Sequence, residues 1–86
     1  MFQVIKRDGS VTEFDIHKIS KAIEKAFNSQ NKITHSSIID MLALKVTSDF
    51  DEKIKDGKIA VEDIQDSVEK VLSQAGYADV AKAYIL

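Results

Sequence analysis

Three glycines and no proline in 86 residues leave this chain very few places to turn. Gly9, Gly57 and Gly76 are its punctuation, and the stretches between them must be read by their apolar spacing. Before Gly9 the pattern has period two, with Phe2, Val4 and Lys6 on one face and Gln3, Ile5 and Arg7 on the other. Asp8-Gly9 supplies a hairpin turn, and Val11–Phe14 is the returning strand. After it the period lengthens. Asp15 precedes Ile16, Ile19, Ile23, Ala26 and Phe27, so it is expected to cap a first helix running to about Phe27. Lys18 occupies the third helical position, which excludes a capping box.

A second helix is expected from about Thr34, carrying Ile38, Ile39, Leu42, Val46, Phe50 and Ile54, with Gly57 just past its C-terminus. Ile59-Ala60-Val61 reads as a brief third strand. A third helix then places Ile64, Val68, Val71, Leu72 and Ala75 on one side, with Glu62 and Asp63 at its positive end and Gly76 as its stop. A fourth begins through Tyr77, Val80, Ala81, Tyr84 and Ile85 and runs out in "AYIL" with no cap or breaker, as a helix cut from a longer polypeptide would.

Size and composition narrow the function. Eighty-six residues suffice for one domain with one core. At 44% hydrophobic and 30% charged residues it should fold alone. Without cysteine there is no disulfide, thiolate nucleophile or Cys-based metal site, and His17 and His35 form no recognisable metal pair. No leader-like N-terminus and no membrane-length apolar run is present, so a cytoplasmic location is expected. The net charge of −2 is unevenly laid out: residues 1–32 hold six cations against four acids, and residues 33–86 six against ten. An anion should meet the first third.

Lys6 and Arg7 beside a turn could be no more than a solvated strand edge. Lys18 is harder to dismiss, because a cation in the first helical turn opposes the helix dipole unless an anion joins it. Lys21 and Lys25 continue the row on a face that solubility alone explains. Catalysis has little support: Asp15, Glu62 and Asp63 are accounted for as helix-start residues, and neither histidine has a nucleophile or acid at suggestive spacing. "RDGS" lacks the glycines and lysine of a P-loop. Net acidity and a single arginine argue against direct nucleic-acid binding.

The run "VIKRDGSVTEFDIHKISKAI" resembles the opening of the ATP-cone, a nucleotide-binding regulatory domain, and "DGKIAVEDIQDSVEKVL" and "YADVAKAYIL" resemble its later blocks in the same order. The resemblance spans residues 1–86 and implies an α+β fold, a four-helix domain capped by a small three-stranded β-sheet. It implies ATP or dATP as allosteric ligand between sheet and helices, with any Mg²⁺ held by the phosphates. Lys6, Arg7 and Lys18 would face the triphosphate, and Val4 and Ile19 the adenine. Asp15 and the segment from Thr12 to Lys18 would read base edge and sugar, and the start of the third helix would close the pocket. There Val61 and Gln65 depart from the Thr and the His or other polar residue common in the family, leaving one backbone N–H and one neutral amide. The partners implied are the rest of a parent ribonucleotide reductase chain and other cones. The absence of cysteines before the motif favours a reductase over the zinc-ribbon repressor of reductase genes, and the "FDIHKISKAIEKAF" and "VAKAYIL" blocks look most like the anaerobic ribonucleoside-triphosphate class. The aerobic reductase class is the runner-up within the family, and a helical docking module that never sees nucleotide is the competing reading outside it.

Overall fold

The hairpin turn is built by Lys6-Arg7-Asp8-Gly9. The Gly9 N–H donates to the Lys6 carbonyl (2.9 Å), and the Lys6 N–H to the Ser10 carbonyl (2.8 Å). Gly9 takes φ +88°, the left-handed step that closes a three-residue loop. The Asp8 carboxylate accepts from both the N–H and the hydroxyl of Ser10 (2.9 and 2.6 Å). In this computed structural model, which describes residues 2–85, the turn joins β1 (Gln3–Ile5) to β2 (Val11–Glu13) in antiparallel register, Val4 opposite Thr12.

The other edge of β1 is parallel to β3 (Lys58–Ala60), Val4 opposite Ile59, so the sheet order is β2-β1-β3. A parallel neighbour requires a long crossover. Here the crossover is α1 (Ile16–Ser29) and α2 (Ser36–Phe50), ending in a 3₁₀ turn over Asp51–Lys53. Then follow α3 (Val61–Gln74) and α4 (Ala78–Ile85). The helices pack as a ring, α1 on α2, α2 on α3, α3 on α4 and α4 on α1. This is the expected four-helix domain with a three-stranded cap.

Two boundaries differ from the sequence reading. The second helix does not reach Gly57; it stops at Phe50, and Ile54 sits in extended backbone. Gly57 instead forms a tight turn with Asp56, at φ +53° and +72°, while Lys55 and Lys58 exchange backbone bonds of 2.9 and 3.0 Å. Two consecutive residues at positive φ make this a primed hairpin turn. The Gly57 carbonyl then accepts from the Gln3 N–H (2.8 Å), which starts the β1–β3 pairing. Val61, read as the end of the third strand, is the first residue of α3. Gly76 behaves as expected: at φ +92° it ends α3, with the Tyr77 N–H returning to the Leu72 carbonyl (2.9 Å). The uncapped ending read from the sequence falls at Leu86, outside the described residues.

One core fills the space between sheet and ring. Ile23, Leu42, Val46, Phe50, Leu72 and Val80 are fully buried, and Val4 and Ile59 bring the two adjacent strands onto the same cluster. Phe50 is the anchor for the sheet: Phe2 and Phe14 stack at 4.4 Å, and each meets Phe50 edge-on, at 5.8 and 5.7 Å. At the opposite end Phe27 meets Tyr77 edge-on at 5.0 Å, tying α1 to the start of α4. Ile33, by contrast, is 99% exposed. Phe50→Ala should therefore cost about 3–5 kcal/mol in urea denaturation, whereas Ile33→Ala should stay within about 0.5 kcal/mol of wild type.

Candidate functional site

α1 begins where β2 ends. Asp15 takes an extended conformation (φ −135°, ψ 108°), and its carboxylate accepts from the His17 backbone N–H at 2.9 Å. That bond, reinforced by the His17 ring at 3.2 Å, holds the Asp15 pKa below its ordinary value although partial desolvation opposes it; Lys18 adds a smaller pull in the same direction. The cap fixes where Lys18 and Ile19 emerge. Ile19 points into the core, and exposed Lys18 stands at the edge of a cleft between the sheet and the first turns of α1 and α3.

The cleft has a volume of about 180 Å³. Val4, Ile19, Ala22, Val61 and Ile64 give it apolar walls, and Lys6 and Lys18 bring two cations to it. Thr12, Glu13, Phe14 and Asp15 close the β2 side, Gln65 the α3 side, and Tyr84 of α4 completes the lining. Of the nine residues singled out from the sequence, Val4, Lys6, Thr12, Asp15, Lys18, Ile19, Val61 and Gln65 meet here. Because α3 is capped at its N-terminus by Ala60, no side chain occupies its first N–H groups, and these remain open to an acceptor.

Arg7 is the exception. It lies in the hairpin turn, past the last residue of β1, and reaches α3 instead: its Nη2 donates to Gln65 Oε1 at 2.6 Å, and its Nε lies 3.7 Å from Glu62 Oε1. It borders an adjoining hollow of about 270 Å³ together with Glu62, Gln65, Asp66, Glu69 and Tyr84. Gln65 and Tyr84 are shared by both hollows. The lysine before the turn thus faces the cleft, and the arginine within it clips the hairpin to α3.

Five lining residues are not among those nine: Glu13 and Phe14, which fall within the Thr12–Lys18 segment, and Ala22, Ile64 and Tyr84. Ala22 and Ile64 carry a signal, being one helical turn beyond Lys18 and Val61, on the same faces. Tyr84 carries none, because its spacing with Val80 and Ala81 makes it look like core. In fact it is half-buried at the cleft, and burial pushes its hydroxyl pKa up while Arg7 opposes the shift. The described residues contain no cluster of three or more His, Cys, Asp or Glu able to hold a metal ion.

The family model described as ATP cone domain matches residues 2–86. The chain belongs to the ATP-cone family. A Chlamydia pneumoniae protein named ribonucleoside-diphosphate reductase subunit alpha is 44% identical to this cone over 96% of the chain and 8% of that protein's length. The Haemophilus influenzae anaerobic ribonucleoside-triphosphate reductase is 38% identical over 98% of the chain and 12% of its own length. A vitamin B12-dependent ribonucleoside-diphosphate reductase of Thermoplasma acidophilum is 40% identical over 98% and 11%. The cone spans about a tenth of the length of the curated relatives it matches.

The lowered Asp15 pKa sets a pH signature for the cone. A depressed folded-state pKa adds stability above the unfolded value of about 3.9, and that contribution is lost as pH falls through the folded value. Asn caps as well as Asp but does not titrate. The melting temperature of wild type minus that of Asp15→Asn should therefore fall below about pH 5 in calorimetric scans, and stay constant above it.

Proposed function

We propose that this cone binds ATP and dATP in the cleft and acts as the allosteric regulatory domain of a ribonucleotide reductase chain. The observation that carries the reading is the combination of an apolar slot floored by Val4 and Ile19 with Lys6 and Lys18 at its edge. A slot of about 180 Å³ is well below the roughly 300 Å³ at which pockets enclosing a whole drug-sized ligand begin. It suits a flat base and part of a sugar, with the phosphates left outside among cations. The charge-assisted bonds of Lys6 and Lys18 and the open N–H groups of α3 are the phosphate partners. Thr12 and Asp15 line the β2 side and in this reading meet base edge or sugar, and Val61 and Gln65 close the third side. For Arg7 to join the triphosphate, its guanidinium must leave Gln65 and Glu62. Mg²⁺ accompanies the nucleotide on phosphates and waters, since this ion needs few protein ligands.

The domain performs no chemistry in this reading. It biases the parent by binding two nucleotides that stabilise different states, because a ligand with equal affinity for both states shifts nothing. ATP and dATP differ by one hydroxyl, and a net hydrogen bond is worth about 0.5–1.5 kcal/mol, so amplification through association of cones or contact with the parent chain belongs to the mechanism. The anaerobic triphosphate class is the finer proposal, supported by the "FDIHKISKAIEKAF" and "VAKAYIL" blocks and by the Haemophilus influenzae relative. A glycyl-radical motif near the far C-terminus of the parent would establish it, and aerobic-type or B12-dependent catalytic sequence there would replace it. A cytoplasmic location goes with this role, and no helix among the described residues is long and apolar enough to cross a membrane.

Calorimetry tests the site. Lys6→Ala and Lys18→Ala should each weaken ATP binding more than about tenfold, as loss of a charged hydrogen bond does, while Lys53→Ala on the 3₁₀ turn leaves it unchanged. Equal losses for all three would reject the cleft. Stability separates sensor from docking module: at 100 times its dissociation constant a ligand adds about 2.7 kcal/mol, so ATP and dATP should raise the melting temperature where GTP does not. No shift with any nucleotide favours docking. Binding should also weaken steeply from low to moderate salt, as phosphate-led recognition requires.

A further inference from the structure

Among the described residues, α2 is the one helix of the ring with large apolar side chains left in water: Met41 is 45% and Leu44 63% exposed. The outward sides of α3 and α4 carry none among the described residues. Met41 and Leu44 are one helical step of three apart, on the side of α2 opposite buried Leu42, Val46 and Phe50. Asp40 and Lys45 flank the pair, one on each side of the stripe, and both are exposed. Neither forms an ion pair among the described residues, where the acid one turn beyond Lys45, Asp49, is bound to Lys70 at 3.1 Å.

In heptad terms Asp40-Met41-x-x-Leu44-Lys45 occupies positions g, a, d and e. Two copies packed with this face inward and the helices parallel bring Asp40 of each alongside Lys45 of the other, the opposite-charge pairing that e and g positions use to set orientation. Antiparallel packing would instead bring like charges together on each flank. Ser37 and Ser48, the next positions along the stripe, are small and polar and confine the seam to one heptad. We propose that this face of α2 pairs with the same face of a second copy, helices parallel, through Met41 and Leu44 with reciprocal Asp40–Lys45 pairs. The surface is self-complementary, as a two-fold contact requires. One heptad buries far less than the roughly 1,600 Å² of a standard interface, so the contact is weak and fills only when copies are concentrated or held in one assembly. It requires no nucleotide and stands apart from the cleft.

Sedimentation equilibrium and the rotational correlation time of the 86-residue chain, from micromolar to millimolar concentration, test this directly. A monomer–dimer equilibrium is expected. Leu44→Glu should weaken it by roughly thirtyfold or more, because two carboxylates enter an apolar contact. Asp40→Lys and Lys45→Asp should each weaken it about fivefold to tenfold through repulsion at both symmetry-related flanks, and the double variant should recover wild-type affinity. All four positions are exposed, so circular dichroism should be unchanged throughout. A chain that stays monomeric at millimolar concentration, a dimer indifferent to Leu44→Glu, or a double variant no better than the singles would each overturn the proposal. The last two outcomes would also separate this pairing from association through another face or with opposite helix direction.

Discussion

The parallel pairing of β1 with β3 is the constraint on which the rest of this structure depends. Val4 lies between Thr12 on one side and Ile59 on the other, and Ile5 is opposite Ala60, the residue at which α3 is capped. The first turn of α3 is thereby brought up to Lys6 and the hairpin turn, which is why Arg7 can reach Gln65 and Glu62, 58 and 55 positions away in sequence. The antiparallel neighbour does the same for α1 through Asp15. Two helix starts and a strand thus converge around one apolar slot, although each strand contributes only three residues. A sheet so short has little stability of its own. The Phe2–Phe14–Phe50 cluster fastens it to α2, so the cleft depends on an aromatic cluster of which only Phe14 lines it.

Much of this was legible because it is local. The alternation of residues 2–7, the Asp8-Gly9 turn, the Asp15 cap and the three-and-four spacing of α1 and α3 each state their element within a few residues. The end of α2 was not legible in the same way. Ile54 continues the apolar spacing of Phe50, and a glycine three residues later is what a helix terminus looks like. What decides otherwise is non-local: the Gly57 carbonyl is needed by Gln3, at the far end of the chain, and only an Asp56-Gly57 turn delivers it. Propensity yielded to strand pairing.

The candidate site shows the same division. Residues on β1, β2, the start of α1 and the start of α3 share one cleft, as their blocks implied, because strand alternation and helix phase set which side chains point together. Arg7 departs, since it follows Lys6 onto the opposite face and opens the loop, whereas Lys6 still pairs with Ser10 across the hairpin. Tyr84 escaped notice for a different reason: a half-buried aromatic on an amphipathic helix has the same spacing as a core residue, and only the packing of α4 against α1 and α3 tells them apart. The outward face of α2 went unread as well. Met41 and Leu44 sit in a helix that is apolar on nearly every side, where sequence spacing alone cannot say which stripe the domain covers.

The central claim is that the slot between β1 and the starts of α1 and α3 is where this domain meets an adenine nucleotide. Titration of the isotope-labelled domain with ATP, followed by amide chemical shifts, tests it most directly. The account predicts saturable shifts concentrated at Lys6, Thr12, Lys18, Ile19, Val61 and Gln65, with Lys45 and Lys53 unmoved. Saturable shifts centred elsewhere, or none at all in a well-folded sample, would contradict it.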